Sequence, residues 1–230
     1  ESLRKALGAR QGAEALSRQM EEVFSALVAE VEMYGGSVIN FAGDSMLCWF
    51  DRGIHEIQAS SSSALSAAMG MQNVMQTFSN LALKVSIASG NSRRFVVGDE
   101  TIQRLDVLAG ATISRTAVGE HLATKGDIVV DEATVKLLGD SSLIKEWREE
   151  GGERFALVEN ASTSSEQPSA QRGDAAALLT DYSILRPFIH HAVYQREISG
   201  QGSFLTEFRP CVALFIRFSG LNYDADDEVT

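Results

Sequence analysis

Gly35-Gly36-Ser37-Val38-Ile39-Asn40-Phe41-Ala42-Gly43-Asp44-Ser45-Met46-Leu47-Cys48-Trp49-Phe50 is the stretch from which the rest of the chain is read. Val38 to Phe41 and Met46 to Phe50 are short apolar runs flanking Ala42-Gly43-Asp44, the pattern of a β-hairpin with Asp44 at its tip. A Gly-Asp pair alone signals only a turn, because both residues favour turns for backbone reasons. Before the hairpin, Leu16, Met20, Val23, Phe24, Leu27, Val28 and Val31 recur at helical steps. They predict an amphipathic helix from Gly12 to Tyr34, stopped by Gly35-Gly36, with a stripe that packs on a sheet.

Downstream, a serine-rich start at Ser60 to Ser63 leads into Ala64, Ala68, Met71, Met75 and Phe78, a second helix. Leu81, Leu83, Val85 and Ile87 alternate with smaller or polar residues, as a strand with one better-buried face does. Phe95 to Val97, Leu105 to Leu108, Asp127 to Val130 and Arg154 to Val158 read as further strands, with helices over Thr112 to Thr124 and Glu132 to Leu138. This order predicts an α+β fold, a mainly antiparallel sheet with helices on one face. Residues 160–177, rich in Ser, Ala, Gln and Gly, read as a flexible linker between a first domain over 1–159 and the beginning of a second over 178–230. In that second part Ile184 to Ile198 reads as a helix and Cys211 to Ile216 as a buried strand.

The chain has 230 residues, 44% of them hydrophobic and 22% charged, as a chain with a packed core has. A formal net charge of −11 repels phosphate backbones, which argues against nucleic acid or an anionic membrane as the main partner. A bound nucleotide needs a metal or a local cationic pocket. No apolar run approaches the roughly 20 residues that span a bilayer, and no signal-peptide pattern opens the chain, so a cytoplasmic protein is expected. Cys48 and Cys211 lack metal-ligand spacing, and Cys48 reads as buried rather than reactive. His55, His121, His190 and His191 likewise share no ligand spacing and read as surface residues, and Arg93-Arg94 as a solvated turn. Beginning at Glu1, the sequence reads as a fragment of something longer.

Val38 to Leu47, preceded by the long helix and two glycines, resembles the FAGD-containing segment of class III nucleotide cyclases, in particular the bicarbonate-responsive soluble adenylyl cyclases. Leu81 to Gly90, Leu105 to Gly110, Gly126 to Val130, and Leu185 to Phe188 with Phe208 to Ile216 are similar to further family segments in the same order. The resemblance implies a ferredoxin-like cyclase catalytic domain whose first strand lies upstream of Glu1, and conversion of ATP to cyclic AMP and pyrophosphate for intracellular signalling. It implies Mg2+ or Mn2+ as cofactor in the complete parent protein and gives Asp44 the role of one of two metal-holding aspartates. One metal there activates the ribose 3′-hydroxyl and the other neutralises the departing pyrophosphate. The implied partners are a nucleoside triphosphate, ATP ahead of GTP, and a second cyclase domain in cis or in trans.

Several positions depart from the family pattern. The family lysine before FAGD is Asn40, the aspartate after Gly110 is Ala111, and the helix asparagine is Ser114. The family arginine falls on Ala117 or Val118, leaving Arg115 as an out-of-register cation, and Arg217 stands where catalytic domains often place an aspartate. Asn40, Ala111 and the missing arginine favour a rival reading, a pseudo-cyclase serving as a nucleotide-binding or dimerisation module, whereas Asp44 favours the enzyme. A diguanylate cyclase or polymerase-like palm lacks its GGDEF-type signature here. In both leading readings this chain alone makes no cyclic nucleotide.

Overall fold

The computed structural model describes residues 9–51, 53, 56–159, 182–200, 212, 214, 216 and 219–224. The chain divides into two compact units, one of residues 26–94, 108–173 and 222–230, the other of 1–25, 95–107 and 174–221. The expected linker over 160–177 lies outside the described residues.

The long helix α1, Ala9–Met33, ends in the first unit, where the glycines require it to. Gly35 has φ 75°, a left-handed conformation that favours glycine, and the Gly36 amide donates to the Val31 carbonyl at 2.9 Å. A Cβ on Gly36 would strike the Phe50 ring and Val31, so helix end and hairpin end meet only over a bare glycine. The hairpin follows as β1, Ser37–Ala42, and β2, Ser45–Trp49, antiparallel with Phe41 opposite Met46. An irregularity between Val38 and Asn40 shifts the register of β1, so Asn40 rather than Ile39 faces Leu47.

Helix α2, Ile57–Met75, starts earlier than its serines suggested. The hydroxyls of Ser60, Ser61 and Ser62 donate to the carbonyls of Glu56, Ile57 and Gln58 one turn back, so the serines lie inside the helix. The central sheet contains β3, Val85–Ile87, β6, Ile128–Asp131, β7, Ile144–Glu150, and β8, Glu153–Val158, in the order β3-β6-β8-β7. β3 and β6 are parallel, while β6 with β8 and β7 with β8 are antiparallel. Of the alternating run from Leu81, only Val85–Ile87 joins the ladder.

Helix α3, Ala111–Leu122, and the short α4, Glu132–Leu138, complete this unit. Ile128 and Val130 of β6 pack with Leu65, Ala68 and Met69 of α2 and with Val135 and Leu138 of α4. Val129 points the other way, into a cluster of Phe155, Ala123, Val118 and Leu122. The α+β architecture is as expected, but helices cover both faces of β6, which is why its residues are all buried. Periodicity predicts that the α1 stripe of Leu16, Met20, Val23, Leu27 and Val31 packs against the sheet carrying Leu83, Val85 and Ile87, but α2 holds that place instead. Leu27 and Val31 are nonetheless buried, and Glu30 fills the space over Gly70 of α2, which is open only because that residue has no Cβ.

The second unit carries most of the pair β4, Arg93–Asp99, and β5, Gln103–Ala109. Asp99 staples their turn by accepting from the Thr101 amide and hydroxyl at 2.7 and 2.5 Å. The helix expected over Ile184 to Ile198 is two pieces, a 3-10 turn over Tyr182–Phe188 and α5, His191–Ile198. Pro187 lacks an amide hydrogen and interrupts the helical ladder there. The buried strand expected over Cys211 to Ile216 is not found at its described residues. Val212, Leu214 and Ile216 are 98%, 81% and 73% exposed and join no strand. Strand propensity is realised only when a neighbouring strand supplies the ladder and the covering face.

Candidate functional site

The hairpin brings Asp44 to the position its sequence context predicted. Gly43 takes φ 64°, the Ser45 hydroxyl donates to the Ala42 carbonyl at 2.9 Å, and Asp44 lies exposed at the tip. Its carboxylate oxygens are the donor type a hard divalent ion requires. One carboxylate is not a cage, however, and among the described residues no three His, Cys, Asp or Glu side chains gather to hold a metal ion. The donor chemistry at Asp44 therefore suits a contribution to a metal site, and no metal-dependent step is assigned to these residues alone.

Asn40, Ala111, Ser114, Ala117 and Val118 lie in the same unit as Asp44, while Arg217 lies outside the described residues. Asn40 is exposed on β1, opposite Leu47. Ala111 is the first residue of α3, and its amide donates to the Asp224 carboxylate, at 2.8 Å to Oδ2 and 3.2 Å to Oδ1. Ser114 is exposed one turn on, with its hydroxyl 3.4 Å from the Gly110 carbonyl. Ala117 is exposed, whereas Val118 turns into the cluster around Val129 and Phe155. Neither position supplies a cation.

Arg115, the out-of-register cation, is committed inside the protein. Its Nε donates to Asp131 Oδ2 at 3.1 Å and its Nη2 to the Ser89 carbonyl at 3.0 Å. Asp131 is 3% exposed and its Oδ1 accepts from the amides of Ser89 and Thr134 and from the Thr134 hydroxyl, at 3.3, 2.8 and 2.6 Å. The proton directions follow. A carboxylate only accepts, so Thr134 spends its hydroxyl proton on Asp131, and Ser89, 2.7 Å away, donates to Thr134. Ser61 is then the donor to Ser89 at 3.0 Å, sharing its proton with the Ile57 carbonyl. One buried carboxylate thus joins α2, the loop after β3, α3 and the start of α4. No local pattern announces this network beyond Asp131, which stands three residues before Thr134 and ahead of a helical run as an N-cap signal.

A second ion pair fixes the far end of α3. Arg148 Nη1 donates to Asp127 Oδ2 at 2.6 Å and to the Leu122 carbonyl at 2.7 Å. Burial opposes the charge on Asp127, but hydrogen bonds from Arg148 and from the Thr124 amide and hydroxyl outweigh it and hold its carboxyl below the ordinary range. Cys48, expected to be buried, is half-buried on β2, and burial pushes its thiol up to about 11. His121, His190 and His191 are exposed, His190 accepting from the Ala192 amide as the cap of α5, while His55 lies outside the described residues.

A scan against protein-family models finds no match. Among curated proteins, adenylate cyclase type 10 of Oryctolagus cuniculus is 25% identical over 141 residues, covering 59% of this chain and 9% of that protein. Adenylate cyclase type 10 of Homo sapiens is 23% identical over 140 residues with the same coverage. The chain thus matches only a small part of these relatives. Among solved structures, the adenylyl cyclase CyaB from P. aeruginosa superposes with a TM-score of 0.52 at 15% identity, covering 65% of this chain and 85% of the other. The guanylyl cyclase Cya2 gives 0.50 at 18% identity over 62% and 81% of the two chains. The guanylate cyclase domain of RhGC from Catenaria anguillulae, solved with GTP, gives 0.50 at 15% identity over 60% and 80%. The shared fold is that of a class III cyclase catalytic domain.

Proposed function

We propose, from the premise that this chain is a class III nucleotide cyclase homologue of the soluble adenylyl cyclase kind, that it forms the first of two cyclase regions in a longer cytoplasmic protein. That protein converts ATP to cyclic AMP and pyrophosphate with Mg2+ or Mn2+. Residues 1–159 make the first region, 160–177 a linker, and 178–230 the start of the second. The observation that carries this reading is the exposed Asp44 on a hairpin tip within a cyclase fold. Its role is to give one carboxylate to a metal site completed by groups beyond the described residues. The exposed Val212, Leu214 and Ile216 support the two-region reading, since they are the alternate residues of an apolar run that needs a sheet to join. Among the described residues no helix is long and apolar enough to cross a membrane.

The experiment is calorimetry of ATP binding to the parent protein with Mg2+ or Mn2+, comparing wild type with Asp44→Asn. Removing one carboxylate charge weakens metal-dependent binding in this reading. Unchanged metal dependence removes Asp44 from the site.

A second reading has its own support. Val118 is packed inward, Ala117 is neutral and Arg115 is held by Asp131, so α3 offers a nucleotide no cation. In that reading the parent is a pseudo-cyclase that binds nucleotide without turnover. ATP bound by the parent with no cyclic product, under conditions where a known cyclase turns over, selects it.

A further inference from the structure

We propose that residues Asn222-Tyr223-Asp224 form a clip that docks on the start of α3 and the neighbouring strand β4, so that the N-terminal end of α3 is an interaction surface for the chain's own acidic end. Two grips define it. The Asp224 carboxylate receives the Ala111 amide through both oxygens, and the Tyr223 carbonyl receives Arg93 Nε at 3.0 Å. Asn222 shapes the segment, its Oδ1 accepting from the Asp224 amide at 3.3 Å.

The chemistry suits the place. The first amides of a helix have no carbonyl partner within it, and the helix dipole favours a negative group there. Gly110, the residue that would cap α3, has no side chain with which to do so. Its φ of 122° is one that L side chains rarely adopt, and a Cβ built on it would come within 2.7 Å of Asp224 Oδ1. The glycine that leaves α3 uncapped from its own sequence therefore makes room for a carboxylate more than a hundred residues away to cap it. Sequence continues the theme, because Asp226, Asp227 and Glu228 follow after Ala225. The clip ties Asn222-Tyr223-Asp224 to the helix carrying Ala111, Ser114 and Ala117.

The test uses the full chain as wild type, Asp224→Ala and Arg93→Gln, with amide exchange by NMR and limited chymotrypsin digestion at the Tyr223 bond. Losing an N-terminal cap costs helices enough that exchange at Ala111 should speed up by about tenfold in Asp224→Ala, while the interior amides of α3 keep their rates. Cleavage after Tyr223 should be faster in both variants than in wild type, because each loosens one grip. Equal Ala111 exchange in wild type and Asp224→Ala overturns the clip, as does equal cleavage in all three proteins. Arg93→Gln leaves the helix cap in place, so it keeps the cleavage assay informative should Asp224→Ala disturb α3 itself.

Discussion

The tip of the hairpin and the body of α3 are the two places where the sequence points to cyclase chemistry, and they differ in what surrounds the charge. Asp44 is exposed on a two-stranded ribbon outside the central sheet. Arg115, by contrast, is bound to a nearly fully buried aspartate inside a five-residue polar chain that crosses the core. A charge held among fixed partners in a low dielectric stabilises one structure and is unavailable to a ligand, whereas an exposed carboxylate contributes little to folding and remains free for an ion. Charge therefore serves architecture in α3 and is left accessible at the hairpin, and substitutions should separate the two.

The largest separation is expected from Asp131→Ala. It strands the Arg115 guanidinium and the donors of Ser89 and Thr134, so urea unfolding should lose about 3 to 5 kcal/mol. A loss no larger than that of an exposed substitution would break the contrast. Next comes Gly119→Ala on the buried side of α3. Its new Cβ would meet Ser86 Oγ and the Phe155 ring, and overpacking of this kind costs about 1 to 3 kcal/mol in the same assay.

Acid offers a smaller test. The Asp127 carboxyl titrates in the folded chain below its unfolded value of about 3.9, so its stabilising effect is complete above that pH and is lost as pH falls through the lower folded value. Wild type should therefore lose more stability than Asp127→Asn between about pH 6 and pH 3, measured as the shift in urea midpoint. Parallel acid limbs in the two proteins would contradict it. The smallest effect belongs to Asp44→Asn, whose unfolding free energy should stay within about 0.5 kcal/mol of wild type, as for exposed sites without special partners. A larger change would mean that Asp44 serves the fold.

What was legible in the sequence follows the same division between local and distant causes. The hairpin, the end of α1 at Gly35 and the span of α4 depend on neighbours a few residues away, and glycine placement with apolar spacing reveals them. β7 escaped because Ile144–Glu150 reads Ile-Lys-Glu-Trp-Arg-Glu-Glu, an edge strand too charged to show an apolar period. Which helix covers Val85 and Ile87 is decided by packing between elements, and periodicity gave α1 the place that α2 holds. The Asp44 position was readable from its turn, whereas the commitment of Arg115 depends on Asp131, and the cap on Ala111 comes from Asp224, which no local pattern announces. The apolar run ending at Ile216 shows the converse, since a correct propensity yields no buried strand at its described residues where no ladder receives it.

Asp44 is proposed to give one carboxylate to a cyclase site, while the cation of α3, Arg115, is held by Asp131 and does not match it. The direct measurement is to incubate the purified 230-residue chain with ATP or GTP and Mn2+ and to quantify cyclic AMP and cyclic GMP by mass spectrometry. Each missing group that stabilises the transition state commonly lowers the rate by about two to three powers of ten, so neither product should exceed a protein-free background. Turnover that disappears in Asp44→Ala would contradict the account.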